Sequence, residues 1–142
     1  MSIELVPLAN ATITLADALI LPGTPAGMRM IAEVQEFVVE GDRLRGRLRG
    51  HAAADWLTAS AELVGTADVR ALIETDDGAL VYTWYHGRVD LSKPVGSAPI
   101  YTAPLYETGD ERYTWLNTIQ AVAKGTLSED ARTLTYEIYE VR

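Results

Sequence analysis

What most constrains this chain is its rhythm: run after run of β-branched and aromatic residues, each stopped by Gly, Pro, Asp or Asn. The runs fall at 12–20, 28–40, 43–49, 66–75, 79–86, 98–106, 113–123 and 132–141. Their lengths and bounding turn residues are those of strands. No segment shows a sustained helical period, and only 52–63 leaves room for a helical turn. Eight such runs predict an all-β fold, a single antiparallel β-barrel, because closing the sheet removes the edges that strands otherwise expose. A chain of 142 residues has the size of one domain and buries roughly 68–70% of its unfolded surface. Residues 1–142 are therefore expected to form one barrel around one core.

Two turns are marked locally. Between Glu40 and Arg43 the loop Gly41-Asp42 suits a type II′ turn, which pairs Val38 with Arg45, Glu36 with Arg47 and Val34 with Arg49. Arg43, Arg45, Arg47 and Arg49 then share one face, and Leu44, Gly46 and Leu48 share the other with Gln35, Phe37 and Val39. The arginine face reads as a wetted surface balanced by cross-strand carboxylates, with an anion-binding patch as the alternative. Thr75-Asp76-Asp77-Gly78 marks a second hairpin, in which Gly78 supplies the positive φ that other residues resist.

Composition enters through what it excludes. The formal net charge is −8, from 12 basic and 20 acidic residues, which repels phosphate backbones and argues against nucleic acid or an anionic membrane as partner. The chain has no cysteine, hence no disulfide, thiolate nucleophile or cysteine-based metal site. His51 and His86, the two histidines, lack metal-ligand spacing, so no metal is expected. Neither a glycine-rich nucleotide loop nor a Gly-x-Ser-x-Gly elbow occurs, and the chemistry expected is cofactor-free. The start of the chain has no basic-then-apolar leader and no long apolar run follows, which makes the cytoplasm the default location.

Three constellations carry potential chemistry. Asp68 and Arg70 stand two apart on one strand and so share a face. Turned into a barrel they must pair with each other or hold a ligand, since either alone is costly to desolvate; an ion pair and an anion clamp oriented by Asp68 are both open. Asp55 precedes Trp56, and an aspartate desolvated beside a large aromatic at a barrel mouth acquires the raised pKa that a general acid or base needs near neutrality. The competing reading makes Asp55 a turn cap and Trp56 a plug. Tyr113, Trp115 and Asn117 fall on one stripe of the 113–123 strand, where they either line a pocket, Asn117 facing a carbonyl or oxyanion, or pack as core.

The segment Glu107-Thr108-Gly109-Asp110-Glu111-Arg112-Tyr113-Thr114-Trp115-Leu116-Asn117, with Ala54-Asp55-Trp56 and Asp68-Val69-Arg70 followed by Thr75-Asp76-Asp77-Gly78, resembles the family known as domain of unknown function 3237. The resemblance extends from Gly23 to Val141 and implies an antiparallel barrel of lipocalin or allene-oxide-cyclase type, whose interior holds a small hydrophobic molecule. It also implies roles for Arg29, after a glycine-rich turn, and for Tyr82, at a position usually Tyr in the family. The chain departs from the family at Ala52 and Ala53, where glycines are usual, and at Val34-Gln35-Glu36, where a Gly-Gly pair leaves more room. No reaction comes with the resemblance.

Two classes of function are expected from these readings. In one, the barrel is a cofactor-independent isomerase, cyclase or lyase acting by proton transfer on a small carbonyl-bearing or aromatic metabolite. Asp55, Asp68 and Arg70 are then catalytic, and Arg29, Trp56, Tyr82, Tyr113, Trp115 and Asn117 bind substrate. In the other, the barrel carries such a ligand without turnover. The expected partner is thus a small molecule inside the barrel, with self-association into a homo-oligomer left open.

Overall fold

The computed structural model describes residues 1–142 and is built almost wholly of strands. They are β1 (Leu5–Leu15), β2 (Leu19–Thr24), β3 (Gly27–Glu40), β4 (Gly46–Leu48), β5 (Ala54–Ala59), β6 (Val64–Thr75), β7 (Leu80–Asp90), β8 (Ile100–Thr102), β9 (Leu105–Glu107), β10 (Gln120–Leu127) and β11 (Thr133–Val141). A short 3₁₀ turn, Thr114–Thr118, is the only helical element, and no helix is long and apolar enough to cross a membrane.

The sheet closes on itself as an antiparallel barrel, as the strand rhythm predicts. Around the ring, β3 is followed by β1, β11, β10, β8, β7, β6 and β5, and β5 pairs back onto β3. β4 extends the β5 position and β9 the β8 position, so eight staves form the wall. β2 lies outside the ring and pairs with β3 alone.

The interior is filled by alternating residues that are small on some staves and aromatic on others. Ala67, Val69, Ala71 and Ile73 from β6 and Ala121 and Ala123 from β10 face inward, leaving room for Phe37, Tyr85, Tyr106 and Tyr136. Small-against-large filling is how a narrow barrel closes without voids. One end is sealed by Leu116, fully buried on the 3₁₀ turn, together with Leu44 and Leu8. Above the seal Arg43 pairs with Glu140 at 2.7 Å and its guanidinium lies 5.1 Å from the Trp115 ring.

Local expectations fail at several places. The hairpin forms between β3 and β4, but without the two-residue turn: Val38 pairs with Arg47 and Val39 with Gly46, two residues out of the predicted register and across a longer loop. Gly41 does not have the positive φ a type II′ turn demands. It is glycine because an added Cβ would run into the Leu8 carbonyl oxygen. A shift of two preserves parity, so Leu44 and Gly46 still face inward and Arg45, Arg47 and Arg49 outward, with Arg49 3.2 Å from Glu74. The strand expected at 98–106 is cut between β8 and β9, where Pro104 lacks the N–H a ladder needs. Residues 114–118, expected as strand, form the 3₁₀ turn, which buries Leu116 in the core and packs Tyr113, Trp115 and Ile119 against it. The 52–63 segment, where the sequence leaves room for a helical turn, contains strand β5.

Candidate functional site

The end opposite the Leu116 seal is open. A cavity of about 230 Å³ lies there, enough for roughly seven waters at about 30 Å³ each. Leu15 of β1, Met30 and Ala32 of β3, Leu57 of β5, Val89 of β7 and Leu134 of β11 form its apolar wall, and the 91–98 loop covers part of it. The rim is charged. Arg132 donates to Asp17 at 2.7 Å, the Ser128 hydroxyl to Asp130 at 2.5 Å, and the Ser92 amide and hydroxyl to Asp90 at 3.0 and 2.5 Å. Lys93 lines the same cavity and takes part in no ion pair.

One carboxylate sits in the wall itself. Asp55 is level with Ala32 on β3 and with Val69 on β6, both inward residues, so parity turns its side chain into the barrel. The β5–β6 ladder pairs Ala54 with Arg70 and Asp55 with Val69, then resumes only at Thr58 and Thr66. In the gap two side chains take over the backbone groups: Asp55 Oδ1 accepts the Asp68 N–H at 3.0 Å, and the Trp56 carbonyl accepts from Arg29 at 2.8 Å. Asp55 has no cationic partner. Burial therefore dominates and raises its pKa from 3.8 to about 6, the Asp68 amide opposing the rise and the Asp68 charge adding to it.

Phenols lie beneath this carboxylate. The Tyr85 and Tyr136 rings meet edge to face at 6.0 Å. Burial raises the pKa of both hydroxyls, and the charge of Asp55 raises them further. Tyr85 Oη and Thr102 Oγ1 are buried without a protein partner and line a second, enclosed space of about 20 Å³, the size of a single water site.

The remaining residues singled out from the sequence do not join Asp55. Asp68 and Arg70 face outward, because the inward positions of β6 are taken by Ala67, Val69 and Ala71. They do not pair: Asp68 lies 3.3 Å from His86 Nε2, and exposed Arg70 stands across from Trp84. Trp56 is 45% exposed on the outer wall and plugs nothing. Arg29, Trp56 and Asp68 do come together, in a shallow outer depression with His86 and Arg88. Tyr82 stacks on Trp84 at 5.1 Å, and both residues belong to the outward parity of β7. Tyr113, Trp115 and Asn117 belong to the sealed end. Tyr113 donates to Asp77 at 2.8 Å, Trp115 packs under Arg43, and Asn117 staples Thr108 through its amide at 2.8 and 2.9 Å. Gln35 and Glu36 are both exposed at a bulge in β3, so their bulk points away from the interior.

Sequence reasoning misses Met30, Leu57, Val89 and Lys93. The alternation Asp55, Leu57, Ala59 is the available signal for the first wall, since it places Asp55 on an apolar face. The 91–98 loop carries no pattern from which its position could be read. No group of three or more His, Asp or Glu side chains is placed to hold a metal ion.

Comparison with known proteins bears on the whole chain. Residues 3–141 match the model of the family described as protein of unknown function DUF3237. No curated protein matches. A β-barrel-like protein from Acinetobacter baumannii AYE superposes with a TM-score of 0.87 at 28% identity, over 100% of this chain and 98% of that one. A conserved protein of unknown function from Rhodopseudomonas palustris gives 0.90 at 22% identity, over 100% and 99%. An enzyme from Penicillium herquei gives 0.71 at 24% identity, over 99% and 94%.

Proposed function

The chain belongs to the DUF3237 family, and from that premise we propose that its barrel is an enzyme that moves a proton on a small, mostly apolar molecule held in the open-end cavity, with Asp55 as the acid–base group. The observation that carries this reading is a lone carboxylate in an apolar wall, without a cation, whose pKa is raised to about 6. Such a group changes state within the range where general acid–base catalysis is effective. A barrel neighbour described as an enzyme supports the reading at the level of the frame.

The chemistry that suits the site is proton abstraction next to a carbonyl. Asp55 takes a C–H proton, the electron pair moves onto the carbonyl oxygen as an enolate, and the protonated Asp55 returns the proton at another carbon, so an isomerisation balances without a co-reactant. Lys93, the rim cation with no ion pair, is the group available to stabilise the negative oxygen. Arg29, Arg70 and Asn117 have no access to that oxygen, since none lines the cavity. The second reading, a carrier, is favoured by the apolar wall alone.

Native mass spectrometry of protein taken from its own cells identifies the bound molecule, and that molecule then serves as substrate. Asp55→Asn is expected to lower turnover about 10²–10⁴-fold while leaving affinity nearly intact, and the wild-type rate should inflect near pH 6. Full activity in Asp55→Asn would remove Asp55 from the reaction. Release of the molecule unchanged at every pH from about 5 to 9 would leave the carrier.

A further inference from the structure

One strand is left over from the barrel. β2 pairs with β3 through Leu19, Ile20 and Leu21 opposite Ile31, Met30 and Arg29, and no other strand pairs with it. Apart from the three-residue β9, which pairs with β7 alone, the closed barrel has no edge to manage, so β2 is the longer strand along which the fold leaves backbone N–H and C=O groups unpaired. Its side chains are as unusual as its position. Leu19, Ile20 and Leu21 are 54%, 56% and 44% exposed. The register then carries the apolar surface sideways on the outer wall, from Leu19 to Ile31 and from Ile31 to the exposed Trp56. Ile20 has the opposite parity and stands beside Met30, a wall residue of the open-end cavity.

Charge narrows the choice of occupant. From Ala18 to Met28 there is no charged residue, in a chain whose net charge is −8. Proteins usually blunt an exposed edge with lysine or an inward charge; here the device is proline, Pro22 within the strand and Pro25 just past it. Proline withholds the N–H and stops the edge from growing after a few residues.

We infer that β2 is a self-association edge, which a second copy of this chain completes by adding its own β2 antiparallel across a two-fold axis. An antiparallel strand pair is self-complementary under such an axis, so one edge serves both partners and the assembly closes at two. Two copies that repel each other elsewhere can meet along this strip without opposing like charges. The rows from Leu19 to Trp56 flank the new strand pair and lose water on pairing. Each β2–β3 ribbon, which forms one lip of the cavity, becomes part of a sheet continued into the partner.

Sedimentation velocity from about 1 to 100 μM is expected to show a dimer that is stronger in about 0.5 M than in about 0.05 M salt, because screening weakens the repulsion between two acidic copies. Leu21→Lys puts a charge on the edge at an exposed position, and should weaken the dimer at least about tenfold while leaving unchanged the melting temperature of the monomer, measured at concentrations too low for the dimer to form. Because the chain has no cysteine, Ile20→Cys provides a direct geometric readout. Under mild oxidation it should form a covalent dimer, whereas Thr135→Cys on the outer face of β11, two staves round the ring from β3, should not. A monomer at about 100 μM in high salt, a Leu21→Lys dimer as strong as wild type, or equal cross-linking from both cysteine positions would overturn the inference. So would a monomer that binds neutral phosphatidylcholine vesicles through this strand.

Discussion

Asp55 and Asp68 show how far the environment decides what one residue type does. Both stand on the β5–β6 pair, and a hydrogen bond links the Asp55 carboxylate to the Asp68 amide. Parity alone turns the first into the cavity wall and leaves the second outside against His86. For Asp55 the folded pKa of about 6 exceeds the ordinary 3.8, so the folded state holds the proton more tightly than the unfolded chain. Its contribution is therefore intact below about pH 4 and is lost as pH rises through 6. A gap of about two pH units between the folded and unfolded values corresponds to about 3 kcal/mol. Asparagine cannot ionise, yet its Oδ1 can still accept the Asp68 N–H. Urea unfolding should thus find Asp55→Asn more stable than wild type by up to about 3 kcal/mol at pH 8, with no advantage at pH 4. The variant that loses turnover would gain stability, the opposition expected of a functional carboxylate held in an apolar wall. A variant destabilised at pH 8 would mean that the charge of Asp55 is welcomed where it sits.

At the scale of elements, what the sequence made legible was what period two governs. Residues 28–40, 66–75 and 132–141 read as strands and fold as β3, β6 and β11 within a few residues. The inward face of β6 was legible as well, since Ala67, Val69, Ala71 and Ile73 are an unbroken apolar stripe. The Asp68–Arg70 expectation set chemistry above that stripe, and packing decided otherwise. Other features were not legible because two causes leave the same letters. Gly41 reads as a turn glycine but serves a close approach. Tyr113, Trp115 and Asn117 read as one strand stripe, yet across so few residues a period of two cannot be told from a period of three. Residues 12–20 read as one strand, whereas β1 ends at Leu15 and Leu19-Ile20 open a separate, exposed strand. The elements yield two tests by thermal or urea unfolding. Leu116→Ala, which opens the sealed end, should cost about 2–5 kcal/mol. Gly41→Ala forces a Cβ against backbone and should cost about 1–3 kcal/mol, whereas Asp42→Ala beside it should stay within about 0.5 kcal/mol.

The whole molecule is a barrel sealed at one end by a polar-stapled 3₁₀ turn and open at the other onto a cavity with a charged rim. This polarity gives its stability two opposed pH limbs. At the sealed end Arg112 draws the pKa of Asp110 down to about 2, the Thr75 and Tyr113 hydroxyls lower that of Asp77, and Arg142 and Arg43 lower that of Glu140. At the open end Ser92 lowers Asp90 and Ser128 lowers Asp130. Each of these carboxyls has a folded pKa below its unfolded one, so each contributes stability above about pH 4 that is lost as pH falls through the depressed value. Asp55 works in the other sense, its penalty growing as pH rises from about 4 through 6. The two limbs should meet in a maximum between about pH 4 and 6, with an acid decline shared by wild type and Asp55→Asn and an alkaline decline found in wild type. The net charge of −8 adds self-repulsion on the alkaline side, which salt relieves and the substitution does not. Measuring both proteins from about pH 2 to 9 at low and high salt separates the contributions. A wild-type stability that climbs steadily from about pH 5 to 8, parallel to Asp55→Asn at every salt concentration, would leave no carboxyl of raised pKa in the cavity wall and no acid–base group on which the proposed reaction could run.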